Sequence, residues 1–158
     1  MNNNTNKYTL RKIIDTDEAL LFYWINDPEV RKWSFNKCAI TLDEHRIWFR
    51  QKLNDENVLI WILEHEKISA GMVRLEKKDT NVYLNYLIAP QSRGKKLARK
   101  MLKMAMIELN NYWKNVKVLA FTLPENIASI KSLENAGFYL NGSSVEKKCY
   151  IFNSKENR

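Results

Sequence analysis

Between Leu87 and Ala98 the chain reads Leu-Ile-Ala-Pro-Gln-Ser-Arg-Gly-Lys-Lys-Leu-Ala. An apolar run stops at Pro90, a basic turn follows at Arg93-Gly94-Lys95-Lys96, and Leu97, Met101, Leu102, Ala105, Met106 and Leu109 continue at helical spacing. A helix start exposes N–H groups with no intrahelical partner and carries the positive end of the helix dipole. Cations and a glycine at that point make an anion site suited to a phosphate. The plainer reading of the same residues is a solvated basic turn that caps a helix. Neither of two common phosphate motifs fits. A Walker loop needs two glycines flanking four residues before Lys and Ser or Thr, and a dinucleotide fingerprint needs three glycines. This segment has one glycine, Gly94.

The elements around this turn follow from periodicity and caps. Tyr8 to Ile14 reads as a strand, and Asp15-Thr16-Asp17-Glu18 as a helix start. Asn26-Asp27-Pro28 ends that helix, and Glu29 to Ile40 reads as an irregular link rich in Arg31, Trp33 and Phe35. Thr41-Leu42-Asp43-Glu44 has capping-box spacing and opens a second helix through Trp48, Phe49 and Leu53. Strands are expected at Val58 to Leu63, Ile68 to Leu75 and Val82 to Ile88, then a helix from Leu97 to about Trp113 and a strand at Val116 to Phe121. A fourth helix follows Pro124-Glu125-Asn126, with Ile127, Ile130 and Leu133 as its apolar face and Gly137 after its end. Phe138 to Leu140 and Glu146 to Phe152, joined through Asn141-Gly142, are the last strands. The order predicts a mixed sheet of about seven strands flanked by four helices, an α/β (mixed α+β) fold.

Bulk properties narrow the class. At 158 residues the chain is expected to be one domain, residues 1–158, with a frayed and disordered polar start at residues 1–6. The 45% hydrophobic and 28% charged residues are a globular balance. No secretory signal or membrane-length apolar run is present, so the expected location is cytoplasmic, with no membrane partner. Cys38 and Cys149 lack disulfide or metal spacing, and no metal is expected. The net charge of +8 implies a polyanionic partner. The lysines are scattered and no nucleic-acid motif is visible, so a ligand bearing phosphates is expected rather than nucleic acid.

Arg93-Gly94-Lys95-Lys96-Leu97-Ala98 resembles the acetyl-CoA loop of the GNAT superfamily of N-acetyltransferases, which reads Arg or Gln, two residues, Gly, one residue, Gly or Ala. Arg93 and Ala98 match the ends, while Lys96 stands where a glycine is usual. Asn126 to Phe138 resembles the family's block of Asn, two residues, Ser or Ala, then Gly-Phe, and lies one helix and one strand after the loop, as the resemblance implies. The element order matches as well, so the resemblance covers nearly the whole chain. Trp24-Ile25-Asn26-Asp27-Pro28 and Glu44-His45-x-x-Trp48-Phe49 resemble members that acetylate nucleotide-linked amino sugars of the pseudaminic-acid-pathway type. Similar Asn-Asp-Pro segments occur in ribosomal-protein N-terminal acetyltransferases.

The resemblance implies an acetyl-CoA-dependent N-acetyltransferase. Its acceptor is expected to be the amine of a UDP-4-amino-type sugar, with a protein N-terminus or a non-catalytic acyl-CoA-binding module as alternatives. Cofactor binding falls to Leu87, Ile88, Ala89, Arg93, Gly94, Lys95, Lys96, Leu97, Ala98, Asn126 and Ser129. The acceptor falls to Arg31, Trp33, Phe35, Arg74 and Tyr83, although the aromatics could equally be core beneath a loop. The usual catalytic Glu and Tyr of the family correspond here to Tyr83 and Leu133. Candidate substitutes are His45, since histidine changes charge near neutral pH, together with Asn85 and Ser129. His45 as a capping residue and Ser129 as an ordinary helix serine are the plainer readings. The expected assembly is a monomer or a homodimer.

Overall fold

The computed structural model describes residues 7–154, so the polar start at residues 1–6 lies outside the described residues. Seven strands form one mixed sheet: β1 (Tyr8–Lys12), β2 (Val58–His65), β3 (Ile68–Lys78), β4 (Asn81–Ile88), β5 (Lys117–Thr122), β6 (Tyr139–Ser143) and β7 (Lys148–Asn153). Their spatial order is β1-β2-β3-β4-β5-β7-β6. Every pairing is antiparallel except β4 with β5, which are joined by a crossover through α4 (Leu97–Leu109). The other helices are α1 (Glu18–Ile25), α2 (Pro28–Trp33), α3 (Leu42–Leu53) and α5 (Ile127–Asn135).

Alternation along the central strands explains why both faces of the sheet are covered. Leu59, Trp61 and Leu63 of β2 join one core with Met101, Leu102 and Leu133 from α4 and α5. Ile60 and Ile62 point the other way and join Leu21, Trp24 and Phe49 from α1 and α3. A strand that buries both sets of alternate side chains must lie between two helical layers.

The described residues form five α-helices rather than four. The stretch expected as an irregular link begins with α2, because Pro28 does two jobs. It ends α1, and it then sits at the first position of a new helix, where its missing N–H costs nothing. The Asp27 side chain caps that helix by accepting from Glu29 N at 3.1 Å. Other differences are local. Helix α4 stops at Leu109, with the chain to Trp113 held by turn hydrogen bonds back to Leu109 and its neighbours. Asn141 and Gly142 lie within β6, beside a register shift, and the β6–β7 turn is instead closed by Ser144 N donating to Lys147 O at 2.9 Å. Ile127, expected on the buried face of its helix, is 54% exposed at the first turn. Cys38 is exposed, and both cysteines are free thiols.

The entry into α1 is pinned by charge. Asp17 is buried and accepts from Arg11 Nη1 at 2.7 Å, Arg11 Nη2 at 2.9 Å and the Ile14 N–H at 2.9 Å. Arg11 also donates through Nε to Glu64 at 2.6 Å, tying β1, β2 and the helix start together. Burial pushes the Asp17 carboxyl upward, but the Arg11 hydrogen bonds and the Ile14 N–H outweigh it and hold the group below the usual carboxylate range. A depressed carboxyl stabilises the fold above its unfolded pKa of about 3.9, and that contribution is lost as pH falls through the lower folded value. Asp17→Asn is therefore expected to cost roughly 2 kcal/mol at neutral pH, a melting temperature lower by about 6 °C. Thermal melts at several pH values check this: the gap to the parent should close at acid pH, and a gap constant down to pH about 2 would contradict it.

Candidate active site

Strands β4 and β5 pair only from Asn81↔Lys117 to Leu84↔Ala120. Beyond Leu84, β4 continues to Ile88 beside β3 alone, so a wedge opens between the two parallel strands. A cavity of about 650 Å³ fills it and reaches both faces of the sheet. Its walls are the open ends of β4 and β5, the turn before α4, the start of α5, and the α2–α3 segment.

The alternation of β4 decides which main-chain groups face the wedge. The Ala89 N–H donates to Ala70 O of β3 at 2.9 Å. Leu87 carbonyl also lies on the β3 side, so close to Gly71 that a Cβ there would stand 2.8 Å from it. Peptide groups two residues apart point the same way, so those of Tyr86 and Ile88 point into the wedge. Of the expected trio, Ile88 therefore offers its main chain, Leu87 contributes its side chain to the wall, and Ala89 is fully buried and excluded from it.

The basic turn forms the second wall. Arg93, Gly94, Lys96, Leu97 and Ala98 line the cavity, and no side chain caps the start of α4. Gly94 has φ +77° and Lys96 has φ 58° and ψ 27°. Lys96 thus keeps the left-handed backbone that a glycine would adopt without strain, at a cost of roughly 1–2 kcal/mol. Two left-handed residues in three curl the main chain around the uncapped N–H groups, a concavity suited to an anion. Lys95, expected among the binding residues, is instead exposed and off the cavity wall. Arg93 reaches back to Asp27 at 2.5 Å, linking this turn to the cap of α2.

The start of α5 is the third wall. Asn126 Oδ1 accepts from Ser129 N at 3.1 Å as the helix cap, which leaves its amide nitrogen toward the cavity it lines. Ser129, Ser132 and Leu133 follow along the same wall. Tyr86 crosses from β4, and its hydroxyl lies 2.8 Å from Ser129 Oγ. Burial pushes the Tyr86 phenol above its usual value, against the Ser129 and Ser132 hydroxyls, which draw it down. In the sequence, Tyr86 is simply one residue of the expected strand from Val82 to Ile88. Its place on the face of Val82 and Leu84 was legible, but its reach to a serine 43 positions later was not.

The remaining wall lies on the α1–α3 face. His45 is 1% exposed, packed against Phe22, Trp48 and Phe49, with Nε2 2.8 Å from the Glu18 carbonyl. A carbonyl only accepts, so Nε2 is the donor, and in the neutral ring the lone pair is on Nδ1. Nδ1 is buried with no partner, and His45 lines the cavity. It is therefore no surface cap. Arg74 projects from β3, with its guanidinium carbon 5.1 Å from the Trp48 ring centre. Its Nε is 3.2 Å from Glu76 Oε1 but is not aligned to hydrogen-bond, and Glu76 also pairs with Lys52 at 3.2 Å. Burial lowers the Arg74 pKa, and Glu76 partly offsets this. Asn85 stands opposite Arg74 in the β3–β4 ladder and lines the same wall.

Trp33 and Phe35 line the cavity mouth, as does Arg31. The Arg31 donors are occupied, however: Nε donates to Ile25 O at 2.6 Å, and Nη1 to Asn36 O at 3.0 Å and Cys38 O at 3.3 Å. Arg31 thus holds the Ser34–Ile40 loop in place. Asn26 does the same at the loop's far end, accepting from Ile40 N at 2.8 Å and donating to Ile40 O at 3.0 Å. Tyr83 is displaced from the expected acceptor set. It belongs to the paired part of β4, below the wedge, where it stacks on Phe121, which lines the cavity, without lining the cavity itself. Among the described residues no group of three or more His, Cys, Asp or Glu is placed to hold a metal ion, and no helix is long and apolar enough to cross a membrane.

A family model described as an acetyltransferase (GNAT) domain matches residues 7–139. Among solved structures, a domain from Methanocaldococcus jannaschii is 28% identical, with TM-score 0.81 over 93% of this chain and 98% of that one. Spermidine N-acetyltransferase from Vibrio cholerae, in complex with CoA and spermine, is 20% identical, with TM-score 0.83 over 96% and 97%. An aminoglycoside acetyltransferase in complex with coenzyme A is 21% identical, with TM-score 0.73 over 92% and 93%. No curated protein matches the sequence.

The left-handed lysine makes a direct prediction. Lys96→Gly removes the steric cost of φ 58° and should stabilise the fold by about 1 kcal/mol, raising the melting temperature by about 3 °C. Differential scanning calorimetry checks this; an unchanged or lower melting temperature would mean that the lysine side chain offsets the strain.

Proposed function

The chain belongs to the GNAT acetyltransferase family, and from that premise we propose that it moves the acetyl group of acetyl-CoA onto the primary amine of a small anionic acceptor, best matched by a nucleotide-linked amino sugar. The co-substrate is supported by the uncapped turn. Main-chain N–H groups of Gly94, Lys96, Leu97 and Ala98 would take the pyrophosphate, with Arg93 and Lys96 adding charge. The wedge-facing peptides of Tyr86 and Ile88, and the amide of Asn126, would hold the pantetheine arm. The Ile88 N–H is suited to polarise the thioester carbonyl and to stabilise the oxyanion formed when the amine attacks.

Arg74 carries the acceptor assignment. It is a half-buried guanidinium on the cavity wall, held by a Trp48 face and a poorly aligned carboxylate, with donors left for a ligand. The lining includes Arg31, Arg74, Arg93 and Lys96 against Glu29 as its carboxylate among the described residues. A polycation such as the spermine bound in the Vibrio enzyme would meet the wrong sign of field here. A diphosphate matches the fork of an arginine, and Trp33, Phe35 and Trp48 offer faces for a base or sugar. Asn85, opposite Arg74, would orient the sugar. The attacking amine must shed a proton, and His45 Nδ1 is the buried lone pair on the acceptor side that can take it.

CoA-thiol release, followed with a UDP-4-amino sugar, spermidine, an aminoglycoside and N-terminal peptides, tests the reading. The nucleotide sugar is expected to lead by at least about 100-fold in kcat/KM. Arg74→Met should raise the KM of that acceptor by about 30-fold and leave the KM for acetyl-CoA unchanged. A preference for spermidine or peptides would overturn the acceptor class, and failure to bind acetyl-CoA at millimolar concentration would overturn the co-substrate.

A further inference from the structure

One hydroxyl in the wedge plays no part in the reading above. Amine acetylation has two proton problems: the amine must lose one, and the departing thiolate of CoA must gain one. His45 lies on the α1–α3 face, so it addresses the first. On the α4–α5 face, where side chains of the helix after Asn126 line the wedge, Leu133 contributes only methyl groups. Tyr86 enters the same space from the strand, sharing the face of Val82 and Leu84. It lies two residues before Ile88, so its Cα stands about 7 Å along β4 from that of the residue whose N–H faces the thioester. Both residues line the same cavity.

Resting on acetyl transfer in this wedge, we propose that the Tyr86 hydroxyl is the proton donor to the sulfur of CoA, with Ser129 as its positioning residue. Ser132 Oγ donates to Ala128 O at 2.8 Å, which spends its own proton. When Ser129 Oγ, 2.8 Å from the Tyr86 oxygen, donates to it, the phenolic proton is left with only a long 3.5 Å contact to the Ser129 carbonyl, which a sulfur in the wedge can displace. Burial raises the phenol, so it is protonated at neutral pH, as an acid must be.

The step balances as follows. The amine nitrogen bonds to the acetyl carbon, and the carbonyl electrons move onto oxygen at the Ile88 N–H. As the carbonyl reforms, the C–S bond breaks and its electron pair goes to sulfur. Sulfur takes the Tyr86 proton and leaves as a thiol. The phenolate, stabilised by the Ser129 hydroxyl, recovers a proton through water from the one the amine released.

The test uses the full chain and three variants: Tyr86→Phe, Ser129→Ala and the double variant. Tyr86→Phe deletes one oxygen and should keep the melting temperature and the dissociation constant of acetyl-CoA within twofold. Its kcat should fall about 100-fold at unchanged acceptor KM. Ser129→Ala should fall less, and the double variant no further than Tyr86→Phe, as for groups acting in series. With an acetyl thioester whose thiol is much more acidic than CoA, leaving needs no proton and the Tyr86→Phe deficit should shrink at least tenfold; a merely structural role would leave it unchanged. A readout without turnover is the ultraviolet thiolate band of bound CoA. Losing a donor to the thiolate should move that titration to higher pH in Tyr86→Phe. Wild-type turnover with Tyr86→Phe equal to it in kcat overturns the proton-donor role alone and leaves acetyl transfer standing. So does a deficit that is the same for both thioesters, or a bound-thiol titration that does not move. No turnover by the wild type with any amine overturns acetyl transfer and the proton donor together.

Discussion

The structure turns on where β4 and β5 stop pairing. Two parallel strands normally share a ladder along their length, and an unpaired peptide in a sheet interior is costly. Here the ladder ends at Leu84 and Ala120, and four more residues of β4 carry on without it. That creates a site whose polar groups are main-chain peptides, fixed by a strand already held on its other edge by β3. Such groups need no reorganisation to meet a ligand, which is what makes them effective for an oxyanion. The helical layers follow from the same break. Helix α4 begins at the wedge because the crossover from β4 to its parallel neighbour must start at the strand's end. Helix α5 begins there because β5 ends at the wedge too.

Asn26, Asp27 and Pro28 join the two halves of the cavity. Asn26 clamps the loop end at Ile40, Asp27 caps α2 and pairs with Arg93, and Pro28 sets the helix direction. The ion pair is half-exposed, so its energetic weight is modest, about 1 kcal/mol or less. Its geometric effect is larger. Arg93 belongs to the basic turn before α4, and α2 carries Trp33 over the other half of the cavity. A phosphate that draws Arg93 would pull on the cap of the acceptor wall.

Local chemistry made much of this legible. The Thr41–Glu44 capping box forms as spaced, with Thr41 Oγ1 accepting from Glu44 N and the Glu44 side chain accepting from Thr41 N. The basic turn lies against the cavity at Gly94 and Lys96, and the seven strands fall where alternation placed them within a few residues. What was not legible depends on three-dimensional paths. Pro28 stops one helix and starts another, and only the chain's direction after Asp27 decides between the two. Arg31 reads as a phosphate ligand until the loop is seen to curl back and place the Asn36 and Cys38 carbonyls on its guanidinium. Tyr83 and Asn85 look equivalent on one strand face, but the ladder closes over one and opens at the other. The left-handed backbone of Lys96 leaves no trace in a lysine.

The wedge also separates the two proton problems in space. His45 is fixed on the α1–α3 face by the Glu18 carbonyl, which leaves its free nitrogen in an aromatic pocket. Tyr86 is fixed on the opposite face by Ser129. Both belong to the sheet or to a helix packed on it, and neither depends on a mobile loop. Groups on opposite faces of the sheet cannot exchange a proton directly. The substrate carbon is the natural bridge between them, because it alone spans the gap that the unpaired strands leave. With the roles proposed for them, the acid would stand on the strand β4 and the base on α3, one on each side of this gap.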